Sequence, residues 1–332
     1  MMRQNKRIAV LGSGSWATAL AKLFLNNNDH INWYIRSNES IEFFKKHNHN
    51  PKYLTSVEFD TSKITFHNNI SDAIDSSDII ILAIPSPFLE KSLETYQSNF
   101  GNKFIVSAVK GIVPIHNLTI AEYFNKIFNI PFSRIGIITG PCHAEEIALE
   151  RLSYLTIASK NKADARELGE MLECHYCKTK LSSDIYGIEY AAVLKNIVAI
   201  ASGICHGLNY GDNFQAVLVS NAIQEIKRFL DKTYKSKRKI NSSAYLGDLL
   251  VTTYSQFSRN RTFGTMIGKG YSVKSAQLEM NMIAEGFYAV SCINEINKKY
   301  QVNMPIIDAV YHVLHENISP MIEIQLLTDK LK

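Results

Sequence analysis

The sequence predicts an α/β protein in two parts: a doubly wound, parallel sheet followed by an all-helical domain. Three observations carry this. The first half alternates short apolar runs with helical patterns, the arrangement of βαβ units. A glycine turn stands at the first strand–helix junction. After Gly187 the pattern changes to long 3.6-residue periodicities with no further strands. The chain has 332 residues, enough for two domains with separate cores.

Taken in order, Arg7-Ile8-Ala9-Val10-Leu11 reads as a buried strand, followed by a helix over about 15–26. Ile31-Asn32-Trp33-Tyr34-Ile35 is the second strand. Asp78 to Ile84 is a third, stopping at Pro85 as a buried parallel strand does. Segments 103–109 and 134–139 add two more, and Tyr154-Leu155-Thr156-Ile157-Ala158 extends the sheet. Helices are expected over 188–205, 213–231, 242–256, 272–280, 284–299, 305–316 and 320–330. The domains are therefore 1–187, for a dinucleotide, and 188–332, for the substrate. With no floppy linker between them, they should pack together around a cleft.

Composition narrows the class. Apolar residues make up 46% and charged residues 20%, ordinary for a globular enzyme. A net charge of +5 suits an anionic ligand without implying nucleic acid. The run Lys235-Ser236-Lys237-Arg238-Lys239 reads as a solvated loop, since no aromatic interleaving accompanies it. Five cysteines, an odd number, point to reduced thiols in the cytoplasm. Cys174-His175-Tyr176-Cys177 has CxxC spacing but no second ligand pair, so no metal is expected. No segment reads as a membrane span, and the basic start leads straight into a strand rather than a signal sequence.

Gly12-Ser13-Gly14-Ser15-Trp16-Ala17 follows the first strand and opens a helix. Gly12 permits the sharp turn, Gly14 admits a pyrophosphate, and Ala17 stands where small size allows helix–sheet packing. The helix start supplies free N–H donors and the positive end of its dipole. Strand two ends in Tyr34-Ile35-Arg36-Ser37, with no acid before Glu39. An acid there would hold the ribose 2′-hydroxyl of NAD; Arg36 instead suits the 2′-phosphate of NADP, the preferred of the two cofactors.

Two solitary lysines point to chemistry. Lys110 is the only charge between Lys103 and His116, and Lys195 the only one between Glu189 and His206. An ammonium in such surroundings needs a partner or a task. At the carboxyl end of a strand, Lys110 should reach the cleft from the first domain. Lys195 belongs to the first helix of the second, where burial would lower its pKa and ready it for proton exchange. Snorkelling to solvent is the plainer alternative. Asp248, alone between Lys239 and Arg259, is the natural partner of Lys195, or else a helix-starting residue after Gly247. Ser258-Arg259-Asn260-Arg261 concentrates donors in one turn, as an anion cradle does.

Read in order, these motifs identify the chain as resembling the bacterial NAD(P)-dependent glycerol-3-phosphate dehydrogenases. The likeness runs from Gly12-Ser13-Gly14-Ser15-Trp16-Ala17 through Val109-Lys110-Gly111, Gly140-Pro141-Cys142-His143-Ala144-Glu145-Glu146, Leu194-Lys195-Asn196 and Gly211-Asp212-Asn213. It continues through Leu246-Gly247-Asp248-Leu249 to Ser258-Arg259-Asn260-Arg261. The resemblance implies a Rossmann domain joined to a 6-phosphogluconate-dehydrogenase-like helical domain, in a homodimer. It implies reversible reduction of dihydroxyacetone phosphate to sn-glycerol 3-phosphate for glycerophospholipid synthesis, with Lys195 exchanging the proton. Ser15, Trp16, Arg36, Lys110, Ala144, Arg259, Ile283 and Glu285 would then line the cofactor beside Gly12 and Gly14. Lys110, Gly140, Cys142, Lys195, Asp248, Ser258, Arg259 and Asn260 would surround the substrate. Cys142 stands where the family usually has Ser or Thr, exchanging a good hydrogen-bond donor for a weak one. Tyr245 stands where a glycine usually precedes Leu246. The alternative is another ketone or β-hydroxyacid reductase of the same architecture.

Overall fold

The structure is a computed structural model; it describes residues 6–96, 98–280 and 283–332. The strands are β1 Ile8–Leu11, β2 Ile31–Tyr34, β3 Ile64–His67, β4 Ile79–Leu82, β5 Phe104–Ser107, β6 Ile112–Val113, β7 Leu118–Thr119, β8 Ile135–Thr139, β9 Ser153–Ser159 and β10 Cys177–Ser182. Helices α1 Ser15–Asn27, α2 Asn38–His47, α3 Ile70–Asp75, α4 Ser86–Leu93, α5 Ile120–Ile127, α6 Ala144–Ala148 and α7 Lys162–Leu172 accompany them. The rest is helical: α8 Ile185–Gly207, α9 Asp212–Thr233, α10 Asp248–Tyr254, α11 Arg259–Gly268, α12 Val273–Glu279, α13 Glu285–Tyr300, α14 Pro305–His315 and α15 Pro320–Thr328.

Two compact units emerge. Unit 1 is Met1–Val109 with Ile120–Ile185, and unit 2 is Lys110–Thr119 with Tyr186–Lys332. The chain thus leaves the first unit after β5, and the excursion carrying Lys110 and the β6–β7 hairpin belongs to the second, where β6 packs on α13. Sequence order alone puts Lys110 with the sheet; packing puts it elsewhere.

In unit 1 the sheet order is β10-β9-β8-β5-β4-β1-β2-β3. The strands run parallel except β9 against β8. That antiparallel step departs from the fully parallel sheet expected; β3 and β10 were not foreseen at all. Both are legible only through pairing, because their exposed polar positions dilute the apolar signal. The inner strands show what sequence reads well: Ile79-Ile80-Ile81-Leu82 is buried throughout, as a strand covered on both faces must be. Trp33 anchors the core, its ring edge-on to Phe44 at 5.2 Å. Cys174 and Cys177 exchange backbone hydrogen bonds across a tight turn before β10, and all five cysteines are free.

Unit 2 is organised around α8. This 23-residue helix is apolar enough to cross a membrane by length and hydropathy, contrary to the sequence reading, but its apolar stretch is wholly buried and only its last residues reach the surface. It is a core helix, apolar all round because neighbours surround it. Gly203 of α8 lies on α11 at Arg261, and Gly264 and Gly268 of α11 lie on α8 at Ile200 and Ile204; a Cβ at any of them would strike backbone. Small residues on both sides therefore set this close crossing. The expected helix over 242–256 resolves into a π-helical turn, Ser243–Gly247, leading into α10, and the 258–261 turn opens a full helix, α11. At α14, Pro305 occupies the first turn. The next two N–H groups, Ile306 and Ile307, donate to the buried Glu225 carboxylate of α9 at 3.1 and 3.0 Å. A side chain from another helix thus does the work of a cap.

Candidate active site

In unit 1, the glycine turn is built as a cradle. Gly12 has φ +126°, and a Cβ there would lie 2.8 Å from the Ala83 carbonyl oxygen, so only glycine fits. Trp33 Nε1 donates to Gly12 O at 2.7 Å. Buried Asn50 donates from Nδ2 to Ser13 O at 3.0 Å and to Thr18 Oγ1 at 2.9 Å. Helix α1 starts after Gly14 with no side-chain cap and no acid in its first turn. A helix start of this kind carries the positive end of the dipole, which suits an anion. Ser15 is buried and Trp16 half-buried at this start, and Arg36 is exposed just beyond β2. Neither Trp33 nor Asn50 was picked out from sequence as supporting the turn; a buried indole N–H is a donor that must end on something, which is the clue.

The other unit 1 candidates cluster after β8. Gly140 has φ +131°, with a Cβ position 2.5 Å from Tyr154 O. Cys142 is buried, and its thiol donates to the same Tyr154 carbonyl at 3.3 Å. Ala144 opens α6 and is buried.

In unit 2, one carboxylate oxygen gathers both lysines. Lys195 Nζ lies 2.5 Å from Asp248 Oδ1, and Lys110 Nζ lies 3.7 Å from that same oxygen. Lys195 also donates to Thr252 Oγ1 at 2.8 Å, and Thr252 Oγ1 donates to Asp248 O at 2.6 Å. Lys195, Asp248 and Thr252 are all buried. Lys195 does not snorkel, and Asp248 is both its partner and the first residue of α10. Thr252, one turn beyond Asp248, escaped the sequence reading; the i, i+4 spacing from Asp248 was the available signal. Burial pulls the Lys195 ammonium down to about 7; Asp248 opposes this and Lys110 adds to it. The lysines were expected from separate domains, yet they belong to one compact unit.

The next residue along α8, Asn196, donates from Nδ2 to Lys110 O at 2.9 Å and holds the excursion in place. Gly286 packs on Asn196, where a Cβ would fall 2.7 Å from the backbone oxygen. Gly286 N in turn donates to Asn260 Oδ1 at 2.9 Å. The starts of α11 and α13 are thus tied together beside α8, bringing half-buried Arg259 and Glu285 to the same end of the unit. Ser258 caps α11, its Oγ accepting from Arg261 N at 3.3 Å. Ile283 precedes α13, half-buried.

Among the described residues no group of three or more His, Cys, Asp or Glu side chains could hold a metal ion. The N-terminal family of NAD-dependent glycerol-3-phosphate dehydrogenases matches residues 7–165, and the C-terminal family matches 184–325. A glycerol-3-phosphate dehydrogenase [NAD(P)+] from an Exiguobacterium species is 35% identical over 96% of this chain and 94% of its own. That of Bacillus subtilis is 33% identical over 93% and 90%. The crystal structure of glycerol-3-phosphate dehydrogenase from Coxiella burnetii superposes with a TM-score of 0.90 at 26% identity, over 98% of this chain and 99% of that one. The chain belongs to the NAD-dependent glycerol-3-phosphate dehydrogenase family.

Proposed function

We propose that this chain interconverts dihydroxyacetone phosphate and sn-glycerol 3-phosphate with NAD(P)H, supplying glycerophospholipid synthesis. The observation that carries the reading is a buried ammonium, Lys195, held by Asp248 and Thr252 in a member of this family. When bound, NAD(P)H supplies the hydride for C2 of the ketone. The turn fits its pyrophosphate, since Gly12 and the uncapped α1 start leave donors and no Cβ in the way. Arg36 favours NADPH over NADH by taking the 2′-phosphate. Trp16, Ala144, Ile283 and Glu285 line the cofactor, as the resemblance implies.

Lys195 polarises the ketone oxygen and gives it a proton as it becomes an alkoxide. Of its three N–H bonds, two are committed to Asp248 and Thr252, so the third is aimed. In the oxidative direction the same amine takes the proton back. Lys110 adds a second positive charge at the oxygen. Ser258, Arg259 and Asn260 hold the phosphate at the start of α11, and that remote binding orients C2. Gly140 and Cys142 contact the substrate, as the resemblance implies. A homodimer, as the resemblance implies, completes the reading, in a reducing, cytoplasmic setting that suits the five free thiols.

Initial rates with dihydroxyacetone phosphate, and with carboxylated ketones such as ketopantoate, test it, using NADPH and NADH side by side. Turnover of the phosphate ester, faster with NADPH, is expected. Turnover of the carboxylated ketones alone would overturn the assignment.

A further inference from the structure

Two turns along α8 from Lys195, on the same helical face, stands Ser202, and it is buried. Its Oγ lies 2.8 Å from Gln215 Oε1 on α9 and 3.0 Å from Thr253 O at the end of α10. Gln215 Nε2 donates back to Ser202 O at 2.9 Å. Gln215 and Thr253 are buried as well. Thr253 O belongs to the last turn of α10, where carbonyls lack helical partners. One Ser202 hydroxyl proton therefore serves two acceptors, and the Gln215 amide locks the serine from the third helix. A buried glutamine is costly where an apolar side chain would pack well. What it adds is a register that apolar contacts do not define. The register matters because Thr253 follows Thr252 directly, and Thr252 and Asp248 hold Lys195.

We infer that Ser202 and Gln215 are positioning residues for the Lys195 ammonium: they pin the end of α10 to α8 and so keep Asp248 and Thr252 at Nζ. This rests on the catalytic reading of Lys195 given above. The groups facing Lys195 are Asp248 and Thr252 from α10 and Lys110 from the excursion. Asp248 supports the charged form and Lys110 opposes it. When α10 slips, Asp248 recedes, Lys110 remains, and the ammonium loses its proton at lower pH.

The test is the pH dependence of kcat for dihydroxyacetone phosphate reduction, measured on the full chain. Reduction needs the ammonium, so kcat falls as pH rises through the pKa of Lys195. In Ser202→Ala and Gln215→Met, the alkaline fall should move to lower pH by about half a unit or more, and kcat at neutral pH should drop about twofold or more with it. KM for NADPH should stay within twofold of wild type. Ser202→Thr, which keeps the hydroxyl, should restore the wild-type profile. Should Ser202→Ala not fold, Gln215→Asn, one methylene shorter, must show the same shift. Variants that only lose thermal stability, with kcat and its pH profile unchanged, would overturn the inference. Lys195→Ala separates the two claims: if it is inactive while the Ser202 and Gln215 profiles are normal, the clamp alone falls. If Lys195→Ala turns over normally, the catalytic reading and the clamp fall together.

Discussion

At the scale of single residues, the proposed chemistry depends on one carboxylate oxygen shared by two ammonium groups. Asp248 Oδ1 meets Lys195 closely and Lys110 at longer range. Removing the acid's charge while keeping its shape exposes the balance. Asp248→Asn removes the charge that raises the Lys195 pKa while Lys110 still lowers it, so Lys195 sheds its proton more easily than at about 7. Because reduction uses the charged form, kcat at pH 7 should fall about a hundredfold, with the alkaline limb displaced to lower pH. A kcat–pH series on that variant checks it; an unmoved limb would show that Asp248 does not set the ammonium. Lys195→Ala should lose turnover by about three orders of magnitude while equilibrium NADPH binding stays near normal.

At the scale of elements, two features carry the helical unit. The α8–α11 crossing is set by glycines that leave no room for a methyl group, Gly264 against Ile200 among them. Gly264→Ala gains helix propensity worth about 1 kcal/mol but must push the two backbones apart. A net loss of roughly 2–3 kcal/mol is expected, read as a lower thermal midpoint. The second feature is the Glu225 cap on α14. Burial pushes this carboxyl up to about 7, outweighing the two N–H bonds that favour the anion. A folded-state pKa above the unfolded one means the folded protein holds the proton more tightly. The stability from this group is complete below the unfolded pKa and is lost as pH rises to about 7. That loss is on the order of 3 kcal/mol. Glu225→Gln, which cannot ionise, should flatten the stability–pH curve between the unfolded value of 4.5 and about 7, measured by chemical denaturation. A curve as steep as wild type would reject the protonated cap.

At the scale of the whole molecule, the two units carry different candidate features: a glycine turn with Arg36 beyond β2 in one, and a lysine pair among helices in the other. Cofactor choice belongs to the first. Arg36→Asp replaces the guanidinium proposed to take the 2′-phosphate with a carboxylate that suits a ribose hydroxyl and repels phosphate. The ratio of kcat/KM for NADPH over NADH should fall about a hundredfold or more, with little change for NADH. Steady-state rates with both cofactors decide this, and an unchanged ratio would remove Arg36 from recognition.

Local chemistry in this chain was legible without coordinates. Apolar runs declared β1, β4 and β5, helical periodicity declared α8, α9, α13, α14 and α15, and isolated charges marked Lys110, Lys195 and Asp248. Such signals survive in one dimension because periodicity and an unaccompanied charge are properties of neighbours in sequence. Pairing and assembly are not. The reversal of β9, the half-exposed strands β3 and β10, and the transfer of Lys110–Thr119 to the helical unit came only from packing. So did Asn50, Ser202 and Gln215, common polar residues whose importance lies wholly in what they touch across the fold. A hydrogen bond between residues far apart in the chain leaves no local trace, whereas the cost of burying a lone charge is written at the position that bears it.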